Sequence, residues 1–140
     1  MSYFNQPVVH DLRGMVQAGC FGKITQVHMR LMHPGGLVWS AQASDGSPSW
    51  RCSIAQTGGG AFIQLAVHSI RIVSWILDEG VKRVQGFASN RMCLGLEGED
   101  SAVAILELDL GTFATLNMSW CASGEELSIH GFPWKRRLSR

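Results

Sequence analysis

Apolar residues recur along this chain with two different periods, and these periods predict where its helices and strands lie. Residues Pro7 to Ala18 carry apolar side chains at helical spacing, with a proline where the first turn of a helix tolerates it best. A second helix is predicted over 61–77, directly after the glycine triplet 58–60. Nearly all positions around the circumference of this helix are apolar, which indicates that it lies buried in the core.

Alternation of apolar and polar residues predicts a set of strands in the rest of the chain. The segment 101–108 is apolar on both faces, which is typical of a central strand in a sheet. No period is visible over 33–57, which we predict to be a long functional loop. The five predicted strands cover 22–32, 81–92, 101–108, 112–121 and 125–130.

The order of these elements predicts the fold class. A helix, a strand, a long loop, a helix and a run of strands indicate an α+β fold, with helices packed on one face of a mostly antiparallel sheet. In the strand over 112–121, Ala114, Leu116 and Met118 point to one face of the sheet, and Thr115, Asn117 and Ser119 point to the opposite face. Small polar residues can face water there, but they can also meet a second copy of the sheet. We expect a homodimer through this sheet face.

The composition fits one globular domain and argues against several kinds of partner. The chain has 140 residues, of which 46% are hydrophobic and 16% charged, and its net charge is +1. This balance does not favour nucleic acid, and the apolar stretches are interrupted by polar residues, which argues against a membrane span. Four widely spaced cysteines and no signal peptide indicate reduced thiols in a cytoplasmic protein. The histidines lack the spacings of zinc sites, so no metal site is expected.

The buried helix carries one polar stripe. Gln64, His68 and Arg71 stand at positions i, i+4 and i+7, which places them on one face. These residues can be hydrogen-bonded within the core. Alternatively the stripe is a pocket wall, where His68 titrates near neutral pH and Gln64 orients a hydroxyl group. The spacing alone leaves both interpretations open.

The order of several short motifs resembles the C-terminal domain of the Gfo/Idh/MocA oxidoreductases. Trp50-Arg51 is followed by the triplet 58–60 with Ala61, then by His68 and a strand-rich end. The opening Asn5-Gln6-Pro7, the segment Gly19-x-x-Gly22-Lys23-Ile24 and the segment Ser128-Ile129-His130-Gly131 fit the same pattern. The resemblance implies a dihydrodipicolinate-reductase-like α+β domain over 1–131. Residues 132–140 form a basic tail that departs from the family, as if the chain were truncated or its reading frame shifted.

The resemblance also implies a function. In this family a Rossmann domain binds NAD or NADP, while the C-terminal domain supplies substrate contacts and the oligomer interface. By position, His68 matches the histidine that many members place beside the reacting hydroxyl of a sugar or polyol. Gln64 and Arg71 stand where acidic residues are frequent, so we expect them, with Trp50 and Arg51, to contact a small-molecule substrate. Without the carboxylate, substrate hydrogen bonding is a safer role for His68 than proton transfer.

Two family features are missing from the chain. It has no G-x-G-x-x-G motif after a strand and no Glu-Lys-Pro segment carrying the family's catalytic lysine. We therefore expect it to bind no cofactor alone and to be inactive in isolation. The alternatives are a stand-alone dimeric binding module that kept the fold but not the chemistry, and a truncated product without a function of its own.

Overall fold

The computed structural model describes residues 3–40, 47, 49–123 and 126–134 of the chain. One long helix precedes the first strand, and two short helices and a second long helix lie between the first and second strands. Short 3-10 turns lie at Tyr3–Asn5 and Trp50–Cys52. The α-helices are α1 Pro7–Gln17, α2 Gly35–Ser40, α3 Ile54–Thr57 and α4 Ala61–Leu77. The strands are β1 Lys23–Met32, β2 Val81–Ser89, β3 Ser101–Leu108, β4 Phe113–Ser119 and β5 Glu126–Trp134.

The strands form one sheet in the order β2-β3-β4-β1-β5. The pair β1 and β4 is parallel, with Met29 opposite Leu116, and the three other pairs are antiparallel. The predicted α+β fold with a mostly antiparallel sheet is thereby confirmed. Strand β3 lies between β2 and β4, inside the sheet as its apolar sequence indicated.

The core lies between one face of the sheet and the helices. Helix α4 packs on β1, β3 and β4, and α1 packs on α4. Met29, Leu106 and Leu116 are fully buried on the sheet side of this layer. By length and hydropathy alone the stretch Ile54–Leu77 could cross a membrane, but α4 buries seven of its side chains as a core helix does.

The opposite face of the sheet is not covered by any described element, and several large apolar side chains lie on it. We call this the open face and define it by Phe87, Val103, Ile105 and Phe113, with Thr115, Asn117 and Ser119. Phe87 lies opposite Val103, and both Ile105 and Phe113 are about half exposed. The three polar residues predicted on this face are on it and only partly buried.

Strand β2 ends at Ser89, three residues earlier than its alternation predicted. The next residues instead turn inward to Asp100, whose Oδ2 accepts the backbone N–H groups of residues 91–93 at 2.9, 2.7 and 3.0 Å. Asn90 donates to three carbonyl groups of the same loop. The backbone N–H groups of residues 91–93 are already paired with Asp100, and they therefore do not continue the hydrogen bonds between β2 and β3.

Two further expectations differ from the structure. The predicted loop 33–57 contains α2, the turn Trp50–Cys52 and α3, while residues 41–46 and 48 lie outside the described residues. The last strand continues to Trp134, beyond its predicted end at His130. Of the predicted tail, residues 135–140 lie outside the described residues, so its truncated or frame-shifted origin stays a prediction.

Candidate functional site

The glycine triplet brings the start of α4 against the loop before β3. Gly58 ends α3 in the left-handed conformation, with φ at 82°. Gly60 lies so close to Glu99 that a Cβ atom there would be 2.1 Å from the Glu99 carbonyl oxygen. Only glycine allows this approach.

The approach lets Glu99 cap the helix. Its carboxylate accepts the N–H of Gly60 at 3.1 Å and that of Phe62 at 2.8 Å, and its carbonyl accepts the N–H of Ala61 at 2.7 Å. A negative charge at this end is favourable because the helix dipole is positive there. Backbone N–H groups at the N-terminus of α4 therefore already have partners within the chain. The candidate functional side chains lie further along the helix.

One turn into α4, an open cleft of about 400 Å³ lies between this helix and the start of α2. Five separate parts of the chain line it, so its residues could not be grouped by sequence spacing. One of them is a fully buried tryptophan directly after β4. The residues that line the cleft are Tyr3, His33, Pro34, Gly35, Val38, Arg51, Gln64, Leu65, His68 and Trp120.

Gln64 holds Arg51 in the cleft. Nη1 of Arg51 donates to Oε1 of Gln64 at 3.1 Å, and Nε2 of Gln64 donates to the carbonyl of Gly59 at 3.3 Å. The guanidinium of Arg51 also lies over the Trp50 ring, 4.5 Å from its centroid. Glutamine carries no charge, so this hydrogen bond positions the planar guanidinium without an ion pair between the two residues.

His68 lies on the same wall, half buried. Its ring meets Tyr3 edge-on, with the centroids 5.8 Å apart and the planes at 70°. Across the cleft, Nδ1 of His33 accepts the backbone N–H of Gly35 at 2.9 Å, which fixes that ring beside Trp120. Two imidazoles and a guanidinium therefore line the cleft, and all three are polar groups of the kind that hydrogen-bond hydroxyls.

The structure brings together three of the five residues that the sequence singled out. His68, Gln64 and Arg51 line the cleft, whereas Trp50 supports Arg51 from outside and is 54% exposed. Arg71 is not among the lining residues, because its guanidinium lies over the ring of Phe4, 4.2 Å from the centroid. The functional roles of all five stay predictions.

Sequence reasoning missed His33, Tyr3 and Trp120 as cleft residues. His33 and Tyr3 come from segments without a periodic pattern, and the alternation of β4 identified Trp120 only as a core residue. Only the folded chain brings them near α4. The one available signal was the run Pro34-Gly35-Gly36 directly after His33, which marks a turn.

Loop 90–100 lies behind the cleft and is ordered by a buried anion. Burial acts to raise the pKa of the Asp100 carboxyl, but the three backbone N–H donations outweigh it and lower that pKa to about 2. Close by, burial raises the pKa of the Cys52 thiol, with a smaller contribution from Cys93. Neither group lines the cleft.

A second cavity of about 220 Å³ lies between α1, α4 and the sheet. Its lining is entirely apolar and includes Leu12, Phe21 and Ile76. It offers no polar side chain to orient a substrate, so the cleft is the better candidate for a functional site.

Comparison with known families and structures agrees with this architecture. A family model described as the GFO/IDH/MocA C-terminal domain matches residues 9–132. The match covers most of the chain, and the chain therefore belongs to this family. A search of curated protein sequences finds no match.

Solved structures share the fold, and three of them illustrate the similarity. An inositol dehydrogenase homologue from Azotobacter vinelandii, complexed with NAD+, has a TM-score of 0.80 and 19% identity, covering 94% of this chain and 35% of the other. Levoglucosan dehydrogenase, in complex with NADH and L-sorbose, has a TM-score of 0.80 and 15% identity, covering 94% and 37%. An oxidoreductase domain protein from Kribbella flavida has a TM-score of 0.78 and 17% identity, covering 91% and 35%. The chain spans little more than a third of these proteins.

Proposed function

We propose that this chain is the substrate-binding and oligomerisation domain of an NAD(P)-dependent oxidoreductase acting on a sugar, polyol or similar hydroxyl or carbonyl compound. The observation that carries the proposal is the convergence of His68, Gln64 and Arg51 on one open cleft of a GFO/IDH/MocA C-terminal domain. The related structures are oxidoreductases and dehydrogenases, which favours this function over a stand-alone binding module.

Each cleft residue has a role in the proposal. Arg51, fixed by Gln64, donates hydrogen bonds to hydroxyl or carbonyl oxygens of the substrate. His68 contacts the hydroxyl nearest the reacting carbon, as a hydrogen-bond partner first and as a proton donor or acceptor second. In the complete enzyme, NAD or NADP would be held by a Rossmann domain outside this chain. Its nicotinamide would exchange a hydride with the substrate carbon.

The substrate role can be tested on the chain itself by NMR. We expect inositol or L-sorbose, the compounds named in the related structures, to shift the signals of the cleft residues at millimolar concentration. The variant His68→Ala should weaken this binding, whereas Val67→Ala should not, because Val67 lies exposed on the same helix but does not line the cleft. Equal loss in both variants, or shifts confined to another surface, would contradict the assignment of the cleft.

The cofactor is tested separately. Adding NADH or NADPH to the chain should leave the nicotinamide fluorescence unchanged, because the proposal assigns the dinucleotide to another domain. Tight binding of either cofactor by these 140 residues would refute that part of the proposal.

We also propose that two copies pair through the open face. Phe87 is 85% exposed and Ile105 51% exposed on this face, and apolar surface of this kind is often covered by a partner. Sedimentation at high micromolar concentration should give a dimer. The variant Ile105→Glu should give a monomer, while Leu110→Glu, at an exposed hairpin turn, should stay dimeric. A monomeric wild-type chain would count against the proposal.

A further inference from the structure

Three side chains that the cleft does not use meet where loop 90–100 passes the end of β4. Cys93, Asp100 and Cys121 each offer one donor atom, and these atoms all lie within 4.8 Å of one another. The two sulfur atoms are 3.2 Å apart. Cys93 and Asp100 are buried, while Cys121 is partly exposed and opens the cluster to solvent.

The two oxygens of the Asp100 carboxylate are unequally paired. Its Oδ2 accepts three backbone N–H groups, whereas its Oδ1 is buried without a hydrogen bond of ordinary geometry. The Ser101 hydroxyl helps to lower the pKa of this carboxyl. Burial, Cys93 and Asp100 together raise the pKa of the Cys121 thiol, so a cation must displace the proton of Cys121. A buried oxygen without a partner is costly, and such atoms are rare in folded proteins. A cation beside the two sulfurs would remove this cost.

We propose that Cys93, Cys121 and Asp100 bind a divalent cation of the zinc class. Thiolate ligands select zinc-like ions over magnesium or calcium, which prefer oxygen alone. Two Zn–S bonds of about 2.3 Å at a tetrahedral angle separate the sulfurs by about 3.8 Å, so the pair needs to open by about 0.6 Å. A disulfide at about 2.0 Å would require the sulfurs to approach by about 1.2 Å. Metal binding is the smaller rearrangement.

Binding involves no oxidation. Each thiol releases its proton to solvent as its sulfur becomes a ligand, and the carboxylate is already ionised. Three protein ligands leave one position for water or another donor. The sequence did not reveal the site because its three ligands are 7 and 21 residues apart, with no paired spacing.

The site lies behind a wall of the cleft. The backbone N–H of Gly36, in α2, donates to the carbonyl of Trp120 at 3.2 Å. A Cβ atom on Gly36 would lie 2.7 Å from the sulfur of Cys93. A metal that joins loop 90–100 to the end of β4 would therefore hold Trp120 and the start of α2 in position. Its role is structural, and the cleft would be pre-organised by it.

The test is a titration with Co2+ of the untagged chain, reduced and freed of metal with a chelator. We expect one Co2+ per chain, with the intense absorption of thiolate-to-cobalt charge transfer, and its loss when Zn2+ is added. The thermal midpoint should rise with metal concentration, because the ion binds the folded state. Bound metal should also protect Cys93 and Cys121 from alkylation while Cys20, which is exposed, stays reactive.

The control variants separate the site from other thiols. Cys121→Ser should abolish the charge-transfer band, whereas Cys20→Ser should keep it, with circular dichroism confirming that both are folded. The alkylation pattern of the wild-type chain decides the matter if Cys121→Ser does not fold. Absence of the band in folded wild-type protein, or its survival in Cys121→Ser, would overturn the proposal. So would a mass lower by two hydrogens without metal uptake, which indicates a Cys93–Cys121 disulfide.

Discussion

Replacing Glu99 by glutamine tests whether α4, the helix that carries the cleft, depends on its internal cap. The carboxylate accepts two backbone N–H groups at 3.1 and 2.8 Å. Glutamine keeps one acceptor oxygen but turns an NH2 group towards one of the two donors, so one N–H loses its partner. The change also removes a negative charge from the positive end of the helix dipole.

The expected loss can be worked out from these two effects. A buried donor left without a partner costs about 1 to 3 kcal/mol, and the lower half of that range applies to these partly buried donors; a favourable charge at a helix end contributes about 0.3 to 1 kcal/mol. We therefore expect Glu99→Gln to lower the free energy of unfolding by about 2 kcal/mol. With a urea m-value of about 2 kcal/mol/M, the midpoint should fall by about 1 M.

The assay is urea denaturation followed by tryptophan fluorescence at one fixed protein concentration. The matched control is Asp11→Asn, which removes the same charge from an exposed position on α1. The control should change the free energy by less than about 0.5 kcal/mol. Equal midpoints for the two variants, at an unchanged m-value, would refute the capping argument.

Four other substitutions have definite expected outcomes. Gly60→Ala should lower the free energy of unfolding by about 3 kcal/mol, because its Cβ would lie 2.1 Å from a backbone oxygen. Gly14→Ala, with open space around it, should raise that free energy by up to about 1 kcal/mol. Urea unfolding of both variants measures the two effects. Leu116→Ala, fully buried on β4, should lower the free energy of unfolding by about 3 kcal/mol in the same measurement. The hydrogen bond from Arg83 lowers the pKa of Glu107, so Arg83→Ala should raise that pKa towards its ordinary value in an NMR titration of the Glu107 carboxyl group. An unchanged Glu107 titration in Arg83→Ala would contradict this assignment of the pKa shift to Arg83. Because the pKa of Glu107 is depressed in the folded state, the stability that Glu107 contributes is present above its ordinary pKa and is lost as the pH falls through the folded value.

Regular elements were predictable because their periods follow from backbone geometry. In β4, Leu116 and Met118 are buried and Thr115 and Asn117 face the other way, as alternation requires. The same reasoning placed Gln64 and His68 one turn apart on one wall of the cleft. It did not reveal that the Arg71 guanidinium lies over a ring, because that ring belongs to Phe4, which is distant in the sequence.

The loops were not predictable in this way. Glu99 and Asp100 are the residues that order the start of α4 and loop 90–100, and both act on backbone N–H groups. Every residue type except proline supplies such a donor, so the sequence does not indicate which ones are paired. For the same reason, the early end of β2 became visible only when the partners of residues 91–93 were known.

The sheet order has a consequence for how the chain assembles during its synthesis. Strand β1 lies between β4 and β5, although its residues are made before those of either neighbour. Until residues 113–134 have left the ribosome, both edges of β1 lack their neighbours and Met29 and Leu31 lack the sheet around them. Helix α1 and the β2-β3-β4 meander can form from local contacts, whereas closing the sheet must wait for these distant pairings. We therefore expect the nascent chain to be most prone to aggregation, and most dependent on chaperones, just before β4 has been synthesised.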